Sequence, residues 1–231
     1  MQTSVLSVVI PAYNEEKAIG SLIEETMQIL EAMKMPYEIV VVDDGSTDYT
    51  RKVASRYKVT VVSYSQNRGK GYALRKGLEH AQGDIIVTID ADGSHSPKEI
   101  PDLITPLFDG ADVVAGSRFI GEAKDHTSKV HQFGNSLINA TIMVLTGKKI
   151  TDSQTGLRAF KKDLLRQIRL ESCGFDIETE LTVKSLKNGF KLVEIPIGCR
   201  RRVHGASKLK TLPDGFKIFK AMLKAAISKS N

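Results

Sequence analysis

Short apolar runs alternate with amphipathic stretches along the first half of the chain. Val5–Ile10, Tyr37–Val42, Val59–Ser63, Asp84–Ile89 and Asp112–Gly116 are brief, rich in β-branched residues and mostly apolar. Such runs predict strands buried on both faces, as in a parallel sheet. Between them, Glu15–Met33, Asp48–Tyr57, Lys70–Ala81 and Pro97–Phe108 read as helices, the last opened by Ser96 as N-cap with Pro97 at its first position. Strand–helix alternation with short connections predicts βαβ units: an α/β fold, one Rossmann-like domain with a mostly parallel central sheet and helices on both faces. After Phe119 the alternation lapses. A polar stretch leads to a helix over Val130–Leu145, then a loop-rich piece, KKITDSQTGLRAF. A helix over Ile177–Asn188, a strand over Lys191–Ile197, a basic loop and a last helix from about Asp214 complete the chain.

Ligands of such sheets bind beyond the carboxyl ends of the strands. This chain concentrates its polar residues there. The successive strands run into PAYNEE, DDGSTD, SQNRGKG, DADGS and GSR. Each alone is compatible with a turn or a cap; Asp43–Asp44–Gly45–Ser46, for instance, suits an Asx turn. Five at one edge point to a shared ligand site. Asp90 and Asp92 carry the most chemistry. In strand geometry the two carboxylates lean to the same side, and like charges that close favour a cation between them.

Composition narrows the partners. The 231 residues suffice for one large α/β domain, and the charged and apolar fractions are those of a globular protein. The opening residues run straight into a charged helix and read as no secretory leader. No stretch approaches the roughly 18 apolar residues of a membrane span. The most lipophilic piece, SLINATIMVLTG, is broken by Asn139. Cys173 and Cys199 show neither metal nor redox spacing, so free thiols in a reducing cytosol are expected. Of 33 Lys/Arg and 27 Asp/Glu, nine and one lie from Gly198 onward, leaving 24 basic against 26 acidic elsewhere. The tail therefore carries +8 and the rest −2, so the whole surplus behind the net charge of +6 lies in the tail, which suits phosphate groups of a ligand, a nucleic acid or a membrane. His95, His126 and His131 are too scattered for zinc and read as ordinary surface or loop histidines.

PAYNE, DDGSTD, NRGKG, DAD and GSR, in that order, resemble the family-2 glycosyltransferases of the GT-A fold. The continuation TDSQTGLRAF, EIP and RVHGASKL resembles the branch that includes dolichyl-phosphate mannose synthase and other polyprenyl-phosphate sugar synthases. The resemblance implies that Pro11, Tyr13, Glu15, Val42, Asp44, Lys70, Asp90, Ala91 and Asp92 bind a nucleotide sugar. It implies a divalent metal, Mg²⁺ or Mn²⁺, on Asp92, Asp90 and Ser94, the last standing where those synthases carry a glutamine ligand. Arg118, Arg202, Lys208 and Ser207 fall on its phosphate and acceptor positions, and Asp90, Asp92, Arg118 and Asp152 on its catalytic ones. Residues 1–119 would form the nucleotide-sugar half, 120–210 the acceptor half and 211–231 a C-terminal amphipathic helix.

The chemistry runs parallel to the resemblance. A nucleotide diphosphate leaves poorly until its charge is neutralised, and a hard cation takes carboxylate and phosphate oxygens. One displacement at the anomeric carbon inverts it. A hydroxyl acceptor must lose a proton, for which Asp152 is the candidate base. A polyprenyl or dolichyl phosphate is already ionised and needs only cations, which Arg200–Arg201–Arg202, His204 and Lys208 supply. The last helix groups Phe216, Phe219, Leu223 and Ile227 beside Lys217, Lys220 and Lys224. That pattern fits either a cap on the domain's own core or a basic helix resting on a membrane. The expected setting is thus the cytoplasmic face of a membrane, with a membrane-protein partner. Rival classes fare worse: the first strand lacks the GxGxxG of a dinucleotide oxidoreductase and the Gly-rich, Arg-bearing loop of a nucleotidyltransferase, and no aromatic platform accompanies the tail to suggest nucleic acid. A hydroxyl-acceptor glycosyltransferase and a non-catalytic nucleotide-sugar sensor remain as alternatives.

Overall fold

The structure, a computed structural model, describes residues 5–120, 129–198, 200, 218, 220–222 and 224–225. Seven strands form one sheet. In chain order they are β1 (Leu6–Ala12), β2 (Tyr37–Asp43), β3 (Thr60–Ser63), β4 (Ile85–Thr88), β5 (Val113–Ser117), β6 (Arg158–Lys161) and β7 (Leu192–Pro196). The helices are α1 (Ile19–Met33), α2 (Thr50–Ala54), α3 (Lys70–His80), α4 (Ile100–Phe108), α5 (Lys129–Thr146), α6 (Leu164–Gln167) and α7 (Ile177–Lys187).

The sheet order is β3-β2-β1-β4-β6-β5-β7. β1 pairs in parallel with β2 on one side and β4 on the other, so the order in which strands are added across the sheet reverses at β1. That crevice is where an open α/β sheet receives its ligand. Alternate residues of the strands feed two cores. Leu6, Val8, Ile10, Val87 and Val114 pack with Ile19 and Ile23 of α1 and Leu103 and Leu107 of α4. Val9, Ile86, Val113 and Phe160 face Leu74 of α3 and Leu181 of α7. Each fully buried Leu, Ile or Phe contributes about 1.5–3 kcal/mol, which explains why the strands read so plainly from sequence.

The expected strands are all present, with ends shifted by one or two residues. The helix expected from Pro97 divides into a short 3-10 turn, Pro97–Glu99, and α4; Ser96 accepts from the Lys98 amide as the expected cap at 3.3 Å. The helix expected from Glu15 begins only at Ile19. The loop-rich piece contains an unexpected strand. β6 runs antiparallel between β4 and β5, with Ala159 opposite both Val87 and Val114. Its four residues, RAFK, begin with an arginine that is 1% exposed, so no apolar run announces it.

The last helix is described only at residues 218, 220–222 and 224–225. There Met222 and Ala225 are buried with Ile142, Ile150 and Val183, and Ile218 is buried as well. At these positions it covers the domain's own core. Phe216, Phe219, Leu223, Ile227 and Lys217 lie outside the described residues. Among the described residues a conspicuous apolar surface lies on α5. Phe133, Leu137 and Val144 are 73%, 59% and 85% exposed, and Met143 is 52% exposed. The same helix buries its polar residues Asn135 and Asn139.

Candidate active site

The loops after β1 and β2 hold each other. The Asn14 amide donates to Ser46 Oγ at 3.0 Å, and Asn14 Oδ1 accepts from the Thr47 amide at 2.8 Å. The Glu15 and Glu16 amides donate to Thr50 Oγ1 and Asp48 Oδ2 at 2.7 and 3.1 Å. These bonds occupy residues 14–16 in a turn, which is why α1 starts late. PAYNE and DDGSTD are thus two sides of one interlocked wall.

Asp44 organises the next loop. Its carboxylate, 3% exposed, accepts from Tyr64 OH, Asn67 Nδ2 and the Arg68 and Gly69 amides at 2.7, 2.8, 2.8 and 2.9 Å. Burial, then the bond to Asp44, pushes the Tyr64 hydroxyl far above the ordinary tyrosine range. Gly69 sits at φ +95, where a side chain would be strained, and a Cβ there would strike the Cys173 carbonyl. The chain therefore turns tightly over Asp44 and enters α3 with Lys70 at its first position.

Lys70 links the two halves of the sheet edge. Its ammonium lies 2.6 Å from Asp90 Oδ1 and 2.7 Å from Glu178 Oε1 of α7. Burial works against the charge, but Asp90 and Glu178 outweigh it and hold Lys70 above the ordinary lysine range. Glu178 shifts upward because it is buried, against the pull of Lys70. Asp90 is packed tightly on its other side: a Cβ on Gly156 would run into the Asp90 carboxylate. Asp92, 5% exposed, accepts from the Ser94 amide at 2.9 Å. The Ser94 hydroxyl is 3.4 Å from His95 Nδ1.

His95 corrects the surface reading. It is 3% exposed, and its Nε2 has no hydrogen-bond partner among the described residues. Burial drives its pKa below the ordinary histidine range; Asp90 and Asp92 pull upward, while Arg118 and Lys70 add to the drop. Its place directly after DADGS was the available signal.

Arg118, just past β5, is clamped by Asp152. Its Nε and Nη2 donate to Asp152 Oδ2 and Oδ1 at 2.7 and 2.9 Å, and its amide donates to Oδ2 at 3.2 Å. Asp152 is fully buried, so the candidate base serves as a fork for an arginine. Arg200, the first of the arginine triplet, grips both Glu25 oxygens at 3.0 Å and Ser96 Oγ at 2.6 Å, and its amide donates to the Ser94 carbonyl at 2.9 Å. It ties the basic segment's start to the loop after Asp92. Arg201, Arg202, His204, Ser207 and Lys208 lie outside the described residues, as does His126.

A cavity of about 250 Å³ opens between these loops, lined by Pro11, Tyr13, Glu15, Asp44, Asn67, Gly69, Lys70, Asp90, Ala91, Asp92 and Phe175, among others. Eight of the nine expected nucleotide-sugar residues line it. Val42 does not: it is fully buried against Val40 and Ala73, one step below the strand end. Phe175 and Glu178 were not expected from the sequence; both come from the stretch after β6, where no strand end marked them. A second, open groove of about 620 Å³ adjoins at Asn67 and Gly69, rimmed by Arg68, Lys184, Lys220 and Lys224. Lys224 pairs with Glu171 at 2.8 Å.

The donor set suits a hard cation that brings its own ligands. Among the described residues no three His, Cys, Asp or Glu side chains gather as a metal cage. Asp92 and Asp90 line the cavity, and one or two carboxylates plus phosphate oxygens are what Mg²⁺ and Mn²⁺ commonly take.

A model of the family described as Glycosyl transferase family 2 matches residues 7–169. An uncharacterised protein of Methanocaldococcus jannaschii is 38% identical over 219 residues, covering 91% of this chain and 88% of that one. A dolichol-phosphate mannosyltransferase of Pyrococcus furiosus is 32% identical, covering 89% of this chain and 59% of its own length, so the chain spans only part of that enzyme. A UDP-N-acetylglucosamine–dolichyl-phosphate N-acetylglucosaminyltransferase of Methanococcus voltae is 32% identical, covering 99% of each chain. Glucosyl-3-phosphoglycerate synthase of Mycobacterium tuberculosis, solved with Mn²⁺, UDP and phosphoglyceric acid, shares the fold. It superposes with a TM-score of 0.78 at 23% identity, over 99% of this chain and 80% of that one.

Proposed function

The chain belongs to glycosyl transferase family 2, and from that premise we propose that it moves a sugar, with inversion, from a nucleotide-diphosphate sugar to a polyprenyl or dolichyl phosphate at a membrane surface. The observation that carries the acceptor class is Asp152. A general base must be able to take a proton, whereas Asp152 is fully buried and forked to Arg118. An ionised phosphate acceptor needs no base; it needs cations near the anomeric carbon. The relatives acting on dolichyl phosphate support the same reading.

In this reading the nucleotide occupies the cavity between the loop at Pro11–Glu15 and the loop at Asn67–Gly69. The amino terminus of α3 and Lys70 face its phosphates, a favourable place for an anion. Asp90, held by Lys70, orients the donor; Asp92 would hold the divalent cation, with Ser94 beside it. When bound, Mg²⁺ or Mn²⁺ would neutralise the leaving diphosphate. Arg118, with Arg202, Ser207 and Lys208, holds the acceptor phosphate, and a single displacement inverts the anomeric centre.

Among the described residues no helix is long and apolar enough to cross a membrane. The apolar face of α5 is the proposed contact with lipid at the cytoplasmic side. Phe133, Leu137 and Val144 recur at helical spacing on its exposed side, as in a helix lying in the interface. The face opposite donates to the loop that carries Asp152, which supports a lipid contact close to the proposed acceptor site.

A donor screen tests the proposal: labelled UDP-glucose, UDP-N-acetylglucosamine and GDP-mannose with a short-chain polyprenyl phosphate, counting sugar in the organic phase. Metal-dependent transfer from one donor is the expected result. Transfer to free saccharides with none to the lipid phosphate would sink it, and donor binding without turnover would point to a sensor.

A further inference from the structure

The turn Thr151–Asp152–Ser153 is a loop, yet Asp152, Ser153 and Thr155 are fully buried. A buried loop must find partners for its backbone groups. Here they come from three different elements. Glu194, in the centre of β7, accepts from the Thr151 amide at 3.0 and 2.8 Å and from the Asp152 amide at 2.8 Å. Asn135 and Asn139 of α5 both donate to the Thr151 carbonyl, at 3.0 and 2.7 Å. Asn139 Oδ1 also accepts from the Ser153 amide at 3.3 Å. From the far side Arg158 donates to the Ser153 and Thr155 carbonyls at 2.8 and 2.9 Å.

What this scaffold delivers is Asp152, and what Asp152 delivers is Arg118. The fork fixes both the direction and the plane of the guanidinium. A carboxylate is the right cap at position 194, because it presents only acceptors to two amide donors; a glutamine would turn an N–H against one of them.

We infer that Glu194 is a positioning residue for Arg118, acting through the Thr151–Asp152 turn, with Asn135 and Asn139 sharing the task from α5. The inference rests on the reading that Arg118 holds the acceptor phosphate. It gives the EIP motif a function. It also gives a reason for asparagines on an otherwise lipophilic helix.

A double-mutant cycle tests it, read as kcat/KM for the lipid phosphate and as Tm. Glu194→Gln in the wild-type background should cost about 10- to 100-fold, and in an Arg118→Ala background less than about 2-fold, because the residue it positions is gone. The shift in Tm should be the same in both backgrounds. Equal fold-losses in the two backgrounds would overturn the inference while leaving the phosphate reading intact. If Arg118→Ala itself transfers normally, the phosphate role of Arg118 fails and the inference with it. Should Glu194→Gln not fold, Asn139→Ser enters the same cycle with the same two criteria.

Discussion

The two halves of the sheet edge solve different problems. The loops after β1, β2 and β4 form an open wall: polar side chains bond neighbouring loops and line the 250 Å³ cavity. The region of β6, α7 and β7 is built around buried charges that do not line that cavity, whereas Asp44 and Asp92, nearly as buried, do. Arg158, Glu178 and Asp152 are 1%, 4% and 0% exposed. Burial pushes Arg158 downward in pKa, and Glu178, Asp152 and Glu194 counter it. The first region displays groups to a ligand that brings its own charges. The second must fix cations in space before any ligand arrives, and a cation is fixed by burying its partners. Substitutions in the first should therefore strike chemistry and spare the fold, whereas in the second they should strike both.

The sharpest separation is expected at Asp92. Asp92→Asn should abolish transfer, a loss of at least about 10³-fold or roughly 4 kcal/mol, with Tm nearly unchanged. Full activity in excess Mg²⁺ or Mn²⁺ would remove Asp92 from the site. At Arg158 the effect should fall on stability. Arg158→Met leaves the buried Ser153 and Thr155 carbonyls without their donor, at a cost of about 1–3 kcal/mol each, visible as a lower denaturant midpoint. A variant as stable as wild type would mean that these carbonyls find other donors.

Gly156→Ala probes the seam between the regions. The added methyl meets the Asp90 carboxylate, and a displacement near 1 Å costs about 10²-fold in rate. Unaltered kinetics would show that Asp90 has room to shift. The smallest effect concerns Glu25 and Arg200, a half-exposed fork in which solvent screens the attraction. Glu25→Gln should cost about 0.5 kcal/mol. Arg200 hydrogen-bonds Glu25 and holds its carboxyl below the ordinary value of 4.5, against a smaller effect of burial. A lowered folded pKa means that this contribution is full above that value and is lost as pH falls through the folded one. The stability gap between Glu25→Gln and wild type should therefore close in acid. A gap that persists at pH 2 would contradict the assignment.

The same contrast governs what the chain discloses before it is folded. Parallel strands buried on both faces write themselves as apolar runs, and a polar cluster at the end of each marks the cavity; Asp44, Lys70, Asp90 and Asp92 were found that way. Val42, which the resemblance implied, lies one residue below the strand end and does not line the cavity. Buried polar groups leave no such trace. Arg158 hid β6, and Glu178 sits on a helix whose nine residues Ile177–Ser185 are all buried, charged ones included, so no apolar stripe marks a face. His95 was visible only as a neighbour of DADGS and Glu194 only as the start of EIP, because what they do depends on burial in the first case and on contacts across 43 residues of chain in the second. Asp152 was singled out as a candidate base, but its pairing with Arg118 is a tertiary fact.

The acceptor is the central claim, and one comparison addresses it directly: labelled sugar transfer to a polyprenyl phosphate and to the matching polyprenyl alcohol, by wild type and by Asp152→Asn, in vesicles with divalent metal. The account predicts transfer to the phosphate alone. It also predicts that Asp152→Asn, by loosening Arg118, loses at least the about 10- to 100-fold expected of Glu194→Gln on the phosphate and gains no transfer to the alcohol. Transfer to the alcohol by wild type, abolished in Asp152→Asn, would contradict it and make Asp152 a base after all.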